Sequence, residues 1–510
     1  MLLSTVLAFD LGASSGRALI GKLLKREDGR RALQVEEIHR FSNHAIAAGG
    51  HLHWDILRLL YEMKKAIRKA FQEGCSPETF GVDTWGVDFG LLDANGELLG
   101  NPYHYRDPQT EGLIEEVCAL IGKEALFQQG GLQFMPFNTV YQLYAMRKAS
   151  SPKLDAARTL LLTPDLLVYF LTGRKVCEFT MATTTQLFHP EKQAWNTELL
   201  ERLGIPSTML LEPIHPGTRI GPLLPEVCEE LDIPPIEAVA VATHDTESAI
   251  AAVPAAADKG AFAYLVCGTW SLLGTELDRP LLSPEAMALD FSNEGGAFGK
   301  YQLLKNIMGL WILQECKREW DEQGEAEGSS VSFVELAAMA EDAAPFRSFI
   351  NPDDLRFYGP SDMVQKVRAY CLETGQPVPE TKGEIARCIL ESLALTYRRV
   401  LEQIESLTGA AFGGLHMVGG GIQNRLLCRL TAGALGRPVW AGPVEASAIG
   451  NMLMQLVAQG HCADLAEARE LSAAAFPVVA YEPDCSEADG WNEAYAAYKR
   501  LIGGQSEVSA

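Results

Sequence analysis

Strongly apolar runs that end in small or polar residues recur along this chain, and five of them read as a strand entering a glycine-bearing turn. The first, residues 5–10, turns through Leu11, Gly12, Ala13, Ser14, Ser15 and Gly16 into a second apolar run at 17–20, the pattern of a hairpin with small polar residues at its bend. The second, residues 80–89, carries Asp83, Trp85, Gly86 and Asp88 and leads to Asn95-Gly96, a dipeptide that favours a tight hairpin turn. The third, residues 238–243, is an uninterrupted apolar run that reaches His244, Asp245 and Thr246 and then becomes an apolar helix over 247–253. The fourth, residues 261–266, turns through Cys267, Gly268, Thr269, Trp270 and Ser271 into 272–275 and repeats the shape of the first, so two similar halves are expected. The fifth, residues 415–418, runs into Gly419, Gly420 and Gly421 and then into a helix that stops near Gly436.

Helical periodicity over 55–72, 385–408 and 446–459 mixes with these strands throughout, which predicts an α/β protein. A length of 510 residues, 47% of them hydrophobic, is enough for at least two cored domains. The boundary is expected near Pro254, dividing residues 1–252 from 253–510, and residues 322–330 read as an exposed loop.

Charge narrows the partners. The chain has 43 Lys and Arg against 66 Asp and Glu, a net charge of −23, which argues against nucleic acid. A nucleotide can still bind if backbone N–H groups, a few local cations and a divalent metal offset that field. The first residues lack a basic, apolar leader and no run of 18 apolar residues occurs, so a cytoplasmic protein with no membrane partner is expected, as a monomer or small homo-oligomer. The 11 Cys have no CxxC spacing and read as reduced apolar side chains, with Cys371 and Cys388 able to pair on oxidation.

Neither a GxxxxGK[ST] loop nor a protein-kinase motif set is present, so any phosphate chemistry needs another cradle. Asp10 can hold Mg2+ through water or simply cap its turn; the small-residue bend after it offers N–H groups and hydroxyls to phosphate, and Arg17 adds positive charge. Asp245, at a strand-to-helix junction, is either an N-cap or a carboxylate held rigidly where α/β proteins bind ligands. In the second role it can take the proton of an alcohol that attacks phosphorus, with His244 contacting a sugar hydroxyl. Thr269 and Gly420 are candidate ATP contacts, or else an ordinary turn hydroxyl and a close-packing glycine. Asp83, Trp85, Gly86 and Asp88 suit a sugar, or else form a strand end with a core indole and capping carboxylates.

Read together, nine blocks resemble the FGGY carbohydrate kinases, and most closely their rhamnulokinase branch. They are residues 6–17, 81–89, 136–139, 182–187, 244–246, 268–271, 305–311, 418–424 and 441–447, and the likeness covers nearly the whole chain. The resemblance implies two ribonuclease-H-like domains of the actin and hexokinase type that close over a cleft, the first (1–252) with the sugar site and first phosphate loop, the second (253–510) with the nucleotide. It implies that Ala13, Ser14, Ser15, Gly16, Arg17, Thr269, Gln314 and Gly420 contact ATP. Gly86, His244, Asp245, Thr246 and Asn306 would contact the ketose, with Asp245 as proton acceptor and Asp10 organising Mg2+. The implied reaction turns L-rhamnulose and ATP into L-rhamnulose 1-phosphate and ADP, a step of L-rhamnose breakdown. Residues Pro108 and Gln109 depart from the expected pattern at the rim of the sugar pocket. Kinases for L-fuculose or L-xylulose, and a non-catalytic ATP-gated sugar sensor of the same fold, remain open alternatives.

Overall fold

The computed structural model describes residues 1–255, 260–325 and 330–506. The chain forms two compact units. The first comprises Met1–Asp258 together with Glu276–Leu304 and Glu445–Phe476; the second comprises Lys259–Thr275, Lys305–Val444 and Pro477–Ala510. Two segments late in the sequence therefore pack into the first unit.

The first unit is built on a six-stranded sheet of β1 (Leu2–Leu11), β2 (Ser15–Lys25), β3 (Arg31–Ser42), β4 (Thr79–Thr84), β5 (Thr218–Pro222) and β6 (Glu237–Ala240), in the order β5-β6-β4-β1-β2-β3. β1 pairs antiparallel with β2 and parallel with β4, so its residues from Val6 to Leu11 are buried on both faces and can be apolar without alternation. One face is covered by the helix Ile56–Gln72, whose buried Leu59, Met63, Ala66, Ile67 and Ala70 recur at helical spacing and whose first turn is capped by the Asp55 carboxylate. The other receives Ala446–Ala458. From that helix Asn451 donates to Asp83 Oδ2 at 2.7 Å and Gln455 donates to the Leu7 carbonyl at 2.9 Å.

The second unit repeats the plan. Its strands are β7 (Ala263–Cys267), β8 (Trp270–Leu277), β11 (Leu415–Val418), β12 (Val439–Ala441) and β13 (Val479–Tyr481). β7 pairs antiparallel with β8 and parallel with β11, β11 pairs parallel with β12, and β12 antiparallel with β13. Strand β10 (Tyr301–Met308) follows β8 in the order, while its first half pairs with β9 (Ser292–Gly295) inside the first unit. An antiparallel hairpin leading to parallel strands in both units gives the two similar halves expected from the repeated hairpins, in the ribonuclease-H-like arrangement that the resemblance implies. The long helix Lys382–Thr408 opens with a reciprocal Thr381 and Glu384 capping box.

Local differences from the sequence reading have physical causes. Residues 80–89 are not one strand: Gly86 and Val87 turn the chain out of the large sheet, and Phe89–Leu92 pairs instead with Thr159–Leu162. The helix after His244 begins at Asp245 and not at 247. Residues 322–325 continue the helix Trp311–Glu325, and 326–329 lie outside the described residues. All eleven cysteines are free thiols. Cys371 and Cys388 are neighbours in the second unit, and the hydrogen bond from Cys388 holds the Cys371 thiol below its usual range.

Candidate active site

In the first unit three elements bring the predicted residues together: the β1–β2 turn, the end of β4, and the entry to the helix Asp245–Ala251. The β1–β2 turn is closed by Gly12 N–H donating to the Ser15 carbonyl at 2.9 Å. The buried Asn43 holds it from outside, its side chain donating to the Gly12 carbonyl at 2.9 Å and its N–H to the Ser14 carbonyl at 3.0 Å. Ser14 remains exposed and Ala13 and Ser15 half-buried, while Gly16 lies so near Phe41 that a Cβ would stand 2.2 Å from the ring. Arg17 bridges the carboxylates of Asp10 and Glu445. Burial opposes its charge, but those two carboxylates outweigh burial and raise the guanidinium above its ordinary value.

Asp10 and Asp83 face each other across the parallel register of β1 and β4. Asp83 is fully buried, Asn451 serves its Oδ2, and its Oδ1 has no partner. Burial, then the charge of Asp10, holds its carboxyl well above the usual range. Asp245 sits at the first position of its helix, partly open to solvent, with a side-chain exposure of 29%. Burial raises its carboxyl to about 6, the Asp10 charge adds to this, and His244 and the Thr246 N–H oppose it. The N-cap reading is not the one observed, because His244 takes the N-cap position: Asp245 lies in the first helical turn, where a carboxylate is favoured, and it keeps an open edge beside a group of carboxylates. That set of hard oxygen donors, with Asp83 Oδ1 unsatisfied, fits a divalent cation.

His244 is fixed by groups absent from the sequence reading. Glu178, fully buried, accepts from the N–H groups of Thr180, Met181 and Thr243 and from the hydroxyls of Thr180 and Thr243. Thr180 Oγ1 in turn accepts from His244 N–H at 3.3 Å. His244 Nε2 lies 3.7 Å from Asp245 Oδ1, and its Nδ1 lies 3.2 Å from Glu294 Oε2. Burial alone would lower this imidazole; Glu294 and then Asp245 outweigh it and raise it. A Cβ on Gly86 would stand 3.4 Å from His244 Nε2, so the bare backbone of Gly86 borders the same space. Thr246 is buried and donates to Asp245 Oδ1 at 3.3 Å.

Two residues proposed for a sugar face turn inward. Asp88 Oδ2 accepts from the indoles of Trp54 at 2.5 Å and Trp85 at 2.9 Å and from Tyr105 N–H at 3.1 Å, and its Oδ1 accepts from Gln142 at 2.8 Å. Trp85 packs on Trp54 with ring centroids 3.9 Å apart. Their capping and core reading is the one observed.

Thr269, Asn306, Gln314 and Gly420 belong to the second unit. Thr269 Oγ1 donates to Gln314 Oε1 at 3.3 Å, and its carbonyl accepts from Trp311 N–H at 3.2 Å. The Gly419–Gly421 loop rests on the end of β7, since a Cβ on Gly421 would stand 2.4 Å from Cys267 Sγ. Gly420 is exposed and a Cβ there meets nothing within 4 Å, leaving a bare backbone face beside the Thr269 hairpin. Asn306 is half-buried on β10.

The profile of the FGGY family of carbohydrate kinases matches this sequence twice, its N-terminal domain over residues 5–252 and its C-terminal domain over 263–459. The chain belongs to the FGGY family of carbohydrate kinases. It is 44% identical over 495 residues to a rhamnulokinase of Bacteroides thetaiotaomicron, covering 97% of this chain and 99% of that protein. It is 42% identical to a rhamnulokinase of Enterococcus faecalis, with 97% and 98% covered. Among solved structures, ligand-bound xylulose kinase from Lactobacillus acidophilus superposes with a TM-score of 0.80 at 16% identity, over 99% of both chains. Plasmodium falciparum glycerol kinase with ADP superposes with a TM-score of 0.73 at 14% identity, over 98% of both. The FGGY profiles together match residues 5–252 and 263–459, and among the described residues no helix is long and apolar enough to cross a membrane.

Proposed function

We propose that this carbohydrate kinase transfers the γ-phosphoryl group of ATP to the 1-hydroxyl of L-rhamnulose, giving L-rhamnulose 1-phosphate and ADP in cytoplasmic L-rhamnose breakdown. Asp245 carries the reading: a carboxylate in the first turn of a helix, raised to about 6 yet open at its edge, beside the imidazole of His244. Near neutral pH such a group is largely ionised and basic enough to take the proton of an attacking alcohol. The identity to rhamnulokinases over nearly the entire chain supports the choice of sugar.

In this reading residues 1–252 hold the sugar and the first phosphate loop, and residues 253–510 hold the nucleotide. Gly86, His244, Asp245, Thr246 and Asn306 orient the ketose so that its 1-hydroxyl points at phosphorus. The loop Ala13, Ser14, Ser15, Gly16 meets the phosphates through N–H groups and hydroxyls. Arg17 keeps the Asp10 and Glu445 carboxylates in register and brings positive charge to the transfer. Thr269 and Gln314, already bonded to each other, and the open face of Gly420 receive the rest of ATP. Mg2+ held through Asp10 would neutralise the phosphate oxygens as the bond to ADP breaks. Alignment and charge neutralisation supply most of the acceleration in such a transfer.

The test is ADP release with Mg-ATP and, in turn, L-rhamnulose, L-fuculose, L-xylulose and glycerol, for the native protein and Asp245→Asn. Turnover with L-rhamnulose that falls by orders of magnitude in the variant is expected. Turnover with another sugar overturns the substrate, and sugar-independent behaviour of a folded, ATP-binding protein overturns phosphoryl transfer in favour of a sensor.

A further inference from the structure

Behind His244 the first unit holds a buried group of ligand-type atoms: His244 Nδ1 stands 3.2 Å from Glu294 Oε2 without the geometry of a hydrogen bond, and neither carboxylate oxygen of Glu247 has a hydrogen bond of good geometry. His244, Glu247 and Glu294 are 7%, 1% and 5% exposed. One possible ligand atom from each of the three residues lies within 4.8 Å of the others. Orphaned buried polar atoms are rare singly, and burying two carboxylates beside a single imidazole is costly.

The surroundings are built to keep these atoms where they are. His244 precedes the helix Asp245–Ala251 and Glu247 follows it by three residues, so both project from the same side of that helix start. Glu294 comes from β9, whose Gly295 N–H donates to Thr183 Oγ1 at 2.8 Å. Gly296 keeps the space clear, since a Cβ there would stand 3.1 Å from Glu247 Oε2 and 2.6 Å from Gln302 Nε2.

We propose that His244, Glu247 and Glu294 form a binding site for a divalent transition-metal cation, distinct from any cation that accompanies ATP. One imidazole and two carboxylates form a nitrogen and oxygen donor set of the kind that takes Zn2+, Mn2+ or Fe2+, and the two carboxylates balance the charge of a dication. Ligation through Nδ1 leaves the proton on Nε2, the nitrogen that faces Gly86 and Asp245, so the ion would fix the tautomer that His244 presents there. It would also tie the helix bearing Asp245 to β9. The inference does not depend on which sugar the protein phosphorylates.

The experiment uses the full-length protein, stripped with a chelator and free of nucleotide, titrated with Zn2+ and with Mn2+ by calorimetry and, for Mn2+, by electron paramagnetic resonance. One ion per chain at micromolar affinity or tighter is expected, together with a raised Tm. Glu247→Gln should weaken that binding at least tenfold, whereas Asp10→Asn should leave it unchanged. Should a variant fail to fold, elemental analysis of the reloaded and dialysed native protein still decides. The proposal is overturned if the native protein retains no ion, or if the ion it retains is lost in Asp10→Asn and kept in Glu247→Gln, which would mean that the two carboxylates share a proton instead.

Discussion

Gly450 lies against the carbonyl of Ser248, so that a Cβ on Gly450 would stand 1.7 Å from that oxygen. The helix Ala446–Ala458 can thus press directly on the helix that starts at Asp245. Gly450→Ala cannot be absorbed by a flexible side chain, because the obstacle is backbone. A loss of about 3 kcal/mol or more is expected, read as a lower denaturation midpoint, while Gly413→Ala, where a Cβ meets nothing within 4 Å, serves as the neutral comparison. Equal midpoints for the two variants would show that the helices separate cheaply.

Gly420 and Gly421 are adjacent yet should answer differently to the same substitution. A Cβ on Gly421 meets Cys267 Sγ at 2.4 Å and the Cys267 carbonyl oxygen at 2.8 Å, whereas one on Gly420 meets nothing within 4 Å. Gly421→Ala should therefore destabilise the second unit, and Gly420→Ala should leave Tm within a degree or so while raising the KM for ATP severalfold, because a methyl group occupies the face proposed for ATP. A Gly420→Ala protein with unchanged ATP kinetics would remove that residue from the nucleotide site.

How much of this was readable in the sequence depends on the range of the signal. The hairpins at Asp10 and Thr269, the junction at Asp245 and the glycine loop at 419–421 announce themselves through local apolar runs and turn residues, and they stand where those runs predict. Glu178 carried no such mark: it lies 65 residues from Thr243, whose N–H and hydroxyl it accepts. The only local hint was a carboxylate just ahead of a Thr-rich stretch, which reads as a helix cap. Glu294 and Asn43 were missed for the same reason, since their partners come from distant strands and turns. Trp85 and Asp88 looked like sugar ligands because an indole beside a carboxylate suits both a sugar and a core, and Trp54, which decides between them, sits 34 residues from Asp88.

Asp88 gives the protein a pH dependence opposite to ordinary acid denaturation. Burial pushes its carboxyl up to about 7 against the pull of its Trp54, Gln142 and Trp85 partners and the Tyr105 N–H. An unfolded Asp titrates near about 3.9, so between these values the folded chain binds the extra proton. The stability from this group is full below about pH 4 and is lost as pH rises through about 7. Asp165 and Glu178, also raised by burial, act in the same direction. Thermal melts at constant ionic strength should give a Tm a few degrees higher at pH 6 than at pH 8, and Asp88→Asn should flatten part of that difference. A pH difference as large in Asp88→Asn as in the native protein would assign it to other groups.

Val87 is β-branched yet holds a φ of 68°, next to Gly86 and the imidazole of His244. Such a conformation costs about 1–3 kcal/mol and persists because neighbouring groups impose it. Val87 N–H donates to Thr184 Oγ1 at 3.1 Å, and Thr139 Oγ1 donates to the Val87 carbonyl at 2.6 Å. Thr184→Val preserves the shape of the side chain but leaves a buried N–H unserved, a loss of about 1–3 kcal/mol that the turn can escape only by moving Gly86. The KM for the sugar should then rise about tenfold or more with the KM for ATP unchanged, and Thr139→Val, which frees the carbonyl of the same residue, should move it in the same direction. If both variants kept native sugar kinetics while losing stability, the strained turn would belong to the fold alone and Gly86 would have to leave the proposed sugar site.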